Sequence, residues 1–158
     1  MTSVVLITIC HWLEEREVSY RLVNHVETRT SEESAQARGE PLKVGGKAIL
    51  MKTDDEYRLF VLSARLKVES AKIKRQLGVR KLRFATAEEL LDLTGLVPGS
   101  VPPFGRPILP FELYVDHSVL ENERIAFNAG SLTDSIIMST QDYQFVANAT
   151  LCDFAKTE

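Results

Sequence analysis

Nothing in this chain of 158 residues approaches the ~20 consecutive apolar residues that a membrane-spanning helix needs. The opening apolar stretch, Val4 to Ile9, has no basic region before it and no small-residue cleavage site after it. It therefore reads as part of a structural helix or strand rather than a signal peptide. Without a targeting signal, the cytosol is the expected compartment and no membrane is expected as a partner. Cysteine is scarce: Cys10 and Cys152 are far apart and form no C-x-x-C pair. That removes zinc knuckles and dithiol redox motifs. A bridge between the two stays open, although reduced structural thiols suit a cytosolic chain better. No His/Asp/Glu grouping has metal-ligand spacing, so a metal-free, cofactor-free protein is expected. Ser131 has no G-x-S-x-G context, which leaves a serine-hydrolase reading without support. Repeats, low-complexity tracts and linkers are also missing. A net charge of −3 excludes a general nucleic-acid coat protein.

What is present is an ordinary globular composition, 44% hydrophobic and 26% charged. The length suits one domain, residues 1–158, with a proper core. The first segment, to about Glu17, reads as a helix with Val5, Ile9, Trp12 and Leu13 on one side. Tyr20 to Val26 alternates like a strand. Thr30-Ser31-Glu32-Glu33 is a capping box, and the helix it opens should stop at Gly39. Lys47 to Met51 and Tyr57 to Leu62 read as a hairpin around the polar turn Thr53 to Glu56. Val68 to Leu77 reads as a helix stopped by Gly78, and Val79 to Ala85 as a strand. Thr86 to Glu89 repeats the capping box and begins a helix closed by Gly95. Later strands fall at Leu113 to Val115, Arg124 to Asn128 and Ser135 to Met138, followed by a helix from Thr140 to Ala149. This order predicts an α+β domain: a curved, mixed and mostly antiparallel sheet with helices packed outside.

Two features stand out from that background. From Arg65 to Arg83 there are eight bases and one acid, Glu69. Lys72, Lys74 and Arg75 lead this cluster, which either meets phosphates or forms a solvated helix face. The run Gly95 to Gly105 holds three glycines and three prolines in eleven residues, so neither a regular helix nor a central strand can form. A stiff loop with accessible amides can hold a carbonyl oxygen or a developing oxyanion. The plain alternative is a proline-stiffened connection.

The loop resembles the signature loop of the YbaK-like family, which includes the editing domain inserted in bacterial prolyl-tRNA synthetases. Gly99-Ser100-Val101-Pro102-Pro103 matches the family's G-x-x-x-P element. Thr30 to Ala35 resembles its T-x-x-E-A-A helix start, and Gly46 to Leu50 its lysine-bearing strand. Tyr114-Val115-Asp116 resembles the strand leading to its D-x-x-(L/V) turn, and Asn128 to Ser131 its (S/N)-A-G segment. The resemblance spans roughly residues 20 to 155. It implies hydrolysis of the ester joining an amino acid to the terminal adenosine of tRNA, performed in trans by a metal-independent monomer. Lys47 then resembles the lysine that holds the terminal nucleotide, with a surface lysine at a strand start as the alternative. The Gly99 backbone resembles the carbonyl or oxyanion contact. Thr30, Ser100, Pro103, Ala129, Gly130 and Ser131 are the implied substrate-binding residues, and Lys72, Lys74 and Arg75 the implied tRNA contacts. The implied partner is the acceptor end of a mischarged tRNA, with a synthetase partner left open.

Some positions depart from the family pattern. Alanine-removing members carry a histidine in the late strand-loop, where this chain has Phe127-Asn128. Its own histidines, His11, His25 and His117, lie elsewhere. Cysteine-removing members place an aspartate a few residues after the A-G. An ungapped reading puts Ser135 there, one past Asp134. Neither specificity is secured. A non-catalytic module that binds an aminoacyl end or a synthetase on the same scaffold is the rival function. An unrelated binding protein with a purely structural loop is the third.

Overall fold

The computed structural model describes residues 3–157. Helix α1 (Val4–Glu15) is capped by the Ser3 hydroxyl, which accepts from the Leu6 amide at 3.3 Å. Its buried face is Leu6, Ile9, Trp12 and Leu13. The chain continues as β1 (Arg21–Asn24), α2 (Ser31–Arg38), a 3₁₀ turn (Leu42–Val44), β2 (Gly46–Thr53), β3 (Glu56–Ser63), α3 (Ser70–Leu77) and β4 (Leu82–Phe84). Then come α4 (Ala87–Thr94), β5 (Glu112–Asp116), α5 (His117–Leu120), β6 (Arg124–Asn128), β7 (Asp134–Ser139), α6 (Thr140–Ala147) and β8 (Thr150–Cys152).

Local chemistry sets most of these boundaries. Thr30 and Thr86 each accept from an amide three residues on, while Glu33 and Glu89 reach back, so both capping boxes are formed. Gly39, Gly78 and Gly95 end α2, α3 and α4 in the left-handed conformation. The β2–β3 hairpin pairs Lys47 with Leu62 and closes at Thr53–Glu56, as the alternation predicts.

The fold class is α+β, and the strands form two sheets rather than one. Strands β1-β7-β6 make a three-stranded antiparallel sheet; β4-β2-β3-β5-β8 make a five-stranded mixed sheet. The two meet where Gly45 bridges Ala126. Here a Cβ on Gly46 would stand 2.6 Å from Ile125 Cδ1, so glycine lets the Ile125 side chain lie directly against the backbone. Leu59 and Val61 of β3 face the main core with Ile125, Phe127, Ile136 and the α1 stripe. Phe60 and Leu62 face a second core with Met51, Ile73 and Phe154. Burial on both faces explains why the second half of β3 is an unbroken apolar run.

The one-turn α5 and the short β8 escape the sequence patterns because each is too short to show a period, and both lie beside the carboxylate of Asp116. Buried Asp116 accepts from Ser118 N at 2.9 Å, capping α5. It also accepts from Phe154 N at 2.7 Å and Ala155 N at 2.9 Å, pinning the chain beyond β8. Burial pushes its carboxyl up, but these hydrogen bonds, with one from the Ser118 hydroxyl, outweigh that and hold it below the ordinary carboxylate range. Asp116→Ala leaves three amides without an acceptor and should cost about 3 kcal/mol, lowering Tm by about 6–12 °C. A depressed folded-state pKa gives stability that is present above the ordinary carboxylate value and lost as pH falls through the folded value. The Tm gap between parent and variant should therefore be full at neutral pH and close below about pH 4. A gap that stays constant down to about pH 2 would contradict this.

Candidate active site

The Gly/Pro loop is anchored into the core rather than left as a surface connection. Phe104 stacks edge-on against Trp12 and Phe127, with centroids 5.2 and 5.3 Å away. The Tyr143 hydroxyl donates to the Pro103 carbonyl at 2.6 Å. The Ser100 hydroxyl donates to the Val97 carbonyl at 2.8 Å, closing the loop on itself. Gly130 N donates to the Ser100 carbonyl at 2.9 Å, and Asn128 Nδ2 to the Gly99 carbonyl at 2.8 Å. Gly99 has φ of 91°, a conformation that favours glycine. Among the described residues its amide N–H meets no acceptor.

Where this loop faces α2 and the start of β2, a cavity of about 280 Å³ opens. Thr30, Lys47 and Gly99 all line it, so three predicted positions remote in sequence come together. The Thr30 side chain is committed to its helix cap, accepting from Glu33 N at 3.1 Å. Half-buried Lys47 donates through Nζ to the Leu66 carbonyl at 2.8 Å. Burial, followed by the neighbouring Lys67 charge, lowers its pKa against the opposing effect of Glu32.

Residues that the sequence reading did not assign to substrate binding complete the wall. Arg38 closes α2 with only 8% of its surface exposed, and it lines the cavity. Its Nε donates to Ser135 Oγ and its Nη2 to Asn128 Oδ1, both at 3.1 Å. Among the described residues no carboxylate lies within ion-pair distance of it. Glu40, whose charge acts on Arg38, is held by Arg124 at 2.7 Å. Burial lowers the Arg38 pKa to about 10, so it stays a cation at neutral pH. Asn128 is oriented by this contact: its oxygen faces Arg38 and the Ser135 hydroxyl, which turns its amide nitrogen to Gly99. The Thr28 and Ser34 hydroxyls, 2.8 Å apart, extend the network. His25, outside the cavity, stands 2.8 Å from Ser135 Oγ. Among the described residues, none that lines the cavity is acidic.

The other predicted positions lie away from this opening. Ser100 and Pro103 are buried within the loop. Ala129 is fully buried, and Gly130 lies against α1, where a Cβ would stand 2.7 Å from Val5. Ser131 turns its hydroxyl to Asp134 Oδ2 at 2.8 Å. In this segment the cavity is met by Asn128, because the β6–β7 turn folds back over α1. Lys72 donates to the Ala155 carbonyl at 2.9 Å and pairs with Asp153 at 3.5 Å, tying α3 to the C-terminal segment. Lys74 and Arg75 are exposed. One signal for Arg38 was present in the sequence: it falls on the helix stripe of Ser34 and Ala35, all three buried. An arginine in a last turn is ordinarily read as a partner of the helix dipole instead.

A cationic cavity with a hydroxyl- and amide-lined wall, beside a rigid loop with a free amide, has the chemistry to suit a polar ligand that carries negative charge. The chain belongs to the aminoacyl-tRNA editing domain family, whose model matches residues 25–146. It is 31% identical over 151 residues to the multifunctional Ser/Thr-tRNA deacylase ProXp-y of Escherichia coli K12, covering 92% of this chain and 89% of that one. It is 34% identical over 103 residues to the proline–tRNA ligase of Shouchella clausii, covering 65% of this chain and 18% of the ligase. A solved structure described as a candidate trans-editing enzyme for prolyl-tRNA synthetase superposes with a TM-score of 0.83 at 25% identity, covering 99% and 100% of the two chains. The hypothetical protein APE2540 superposes at 0.84 with 23% identity, over 94% and 99%. The α+β fold and the family expected from the sequence are thus the ones found.

Proposed function

We propose that the protein is a trans-acting deacylase that hydrolyses the ester of tRNA mischarged with a small hydroxylated amino acid, serine or threonine. The observation that carries this reading is the Arg38–Asn128–Ser135 network set against Gly99 in the cavity that Lys47 enters. A small pocket with fixed hydrogen-bonding groups suits a side-chain hydroxyl and disfavours an analogue without one. The E. coli relative named for Ser/Thr-tRNA points the same way.

In this mechanism Lys47 holds the terminal nucleotide as a compact point charge. The ester carbonyl lies against the Gly99 N–H, in a residue whose own carbonyl, on the next peptide group, accepts from Asn128. As water attacks, charge gathers on the carbonyl oxygen, and a preorganised amide with nearby cations stabilises it without reorganisation. An aminoacyl ester is already reactive, so alignment supplies much of the acceleration. Thr30 borders the entrance, while Ser100, Pro103, Ala129, Gly130 and Ser131 support the loop and turn from behind. Lys74 and Arg75 meet acceptor-stem phosphates, with Lys72 bracing their helix. A monomer acting in the cytosol, with or without a synthetase, belongs to this reading. The test incubates the protein with seryl-tRNA in which the amino acid is radiolabelled. Loss of the ester is expected; retention of bound, intact seryl-tRNA would instead make the protein a binding module.

A further inference from the structure

Phe84 closes the edge strand β4 with 59% of its surface exposed. It borders a groove of about 170 Å³ whose other walls include Ala85, Leu90 and Pro98. Groove and cavity share Ala48, Ile49, Gly99 and Val101, so the two openings adjoin across a common rim. Towards the other end of β4 lies a concavity of about 500 Å³ lined by Lys52, Lys74, Arg80, Lys81 and Arg83 against two acids, Asp54 and Asp55. Strand β2 runs through all three: Lys47 in the cavity, Ala48 to Leu50 in the groove, Lys52 in the basic concavity. From Lys47 to Lys52 is about 17 Å along a strand. Arg83 is held beside Phe84 by a two-pronged contact with Glu89 at 2.7 and 2.8 Å.

We infer that Phe84 is a stacking platform for a nucleobase of the unpaired 3′ end that precedes the esterified nucleoside. This inference rests on the deacylase reading of the cavity. With the ester in the cavity, the preceding nucleotides must leave across a rim. The rim through Ala48 and Gly99 leads to an exposed aromatic face and then to a cluster of bases. That order suits a single strand, whose bases stack on apolar or aromatic faces while its phosphates meet cations. The excess of positive charge adjoining the groove matches a phosphate chain that continues from the ester, so a nucleic acid is the better occupant. Any base offers a π-face, which makes the platform indifferent to sequence.

Fluorescence anisotropy tests this with two uncharged RNA hairpins, one ending in unpaired CCA and one blunt. The CCA hairpin should bind the parent more tightly. Phe84→Ala should weaken that binding about 10-fold, leaving the blunt hairpin unaffected. The salt dependence should not change slope, because no phosphate contact is removed. Phe84→Trp should restore the affinity. Melting of both variants should stay close to the parent, since the ring packs little. Parental affinity of Phe84→Ala for the CCA hairpin would overturn the inference, as would equal weakening of both hairpins or no binding of either by the parent. Ester loss from seryl-tRNA is read separately, so failure of the deacylase reading is distinguishable from failure of the platform.

Discussion

Lys47→Ala protein is expected to hydrolyse seryl-tRNA ~100-fold or more slowly than the parent in a single-turnover assay. The expectation follows from the side chain's position in the cavity, where its ammonium is the one lysine charge lining the wall among the described residues. Without it the terminal nucleotide is not fixed, and the ester loses its alignment with both water and the Gly99 amide. The fold should survive. What the folded state loses is one hydrogen bond to the Leu66 carbonyl, about 1 kcal/mol, which lowers Tm by about 2–4 °C. Lys47→Arg should recover only part of the rate, because a planar fork places its donors differently from an ammonium. A Lys47→Ala protein with parental rate and parental melting would make this lysine a surface residue at a strand start.

Arg38→Met should separate activity from stability in the opposite sense. A buried cation without a carboxylate partner is a cost to the fold, and an apolar chain of similar length removes that cost. The variant should therefore melt near the parent or above it. Its deacylation rate should fall about 100-fold, since Asn128 loses the donor that orients it and the cavity loses a charge facing the reacting group. Arg38→Lys should retain more activity than Arg38→Met by keeping the charge without the fork. Combined loss of melting temperature and rate in proportion would mark Arg38 as structural.

Much of the fold could be read from short-range chemistry. Both capping boxes, the three glycine helix stops and the β2–β3 hairpin depend on residues within a few positions of one another, so a sequence displays them directly. The division into two sheets could not be read this way. It follows from the close approach at Gly46 and Ile125, nearly eighty positions apart. Asp116 presents the same difficulty, because it holds the C-terminal segment from nearly forty positions away. In the site, Lys47, Gly99 and Thr30 were accessible through a resemblance of local motifs. Arg38 was not, and Asn128 was placed in a motif without a role, because their meaning lies in facing each other across ninety residues. The resemblance implies substrate binding by Ala129, Gly130 and Ser131, whereas the structure sets Gly130 against α1 and leaves the neighbouring Asn128 at the cavity.

The claim at the centre of this account is that the Arg38–Asn128 wall selects a hydroxyl-bearing amino acid for ester hydrolysis. The most direct measurement compares single-turnover deacylation of seryl-, threonyl- and alanyl-tRNA built on the same tRNA, each against a protein-free control. Seryl- and threonyl-tRNA should lose their ester at least about 10-fold faster than alanyl-tRNA, because only they satisfy the fixed polar groups of the cavity. Equal rates for all three, or rates no greater than the control, would contradict it.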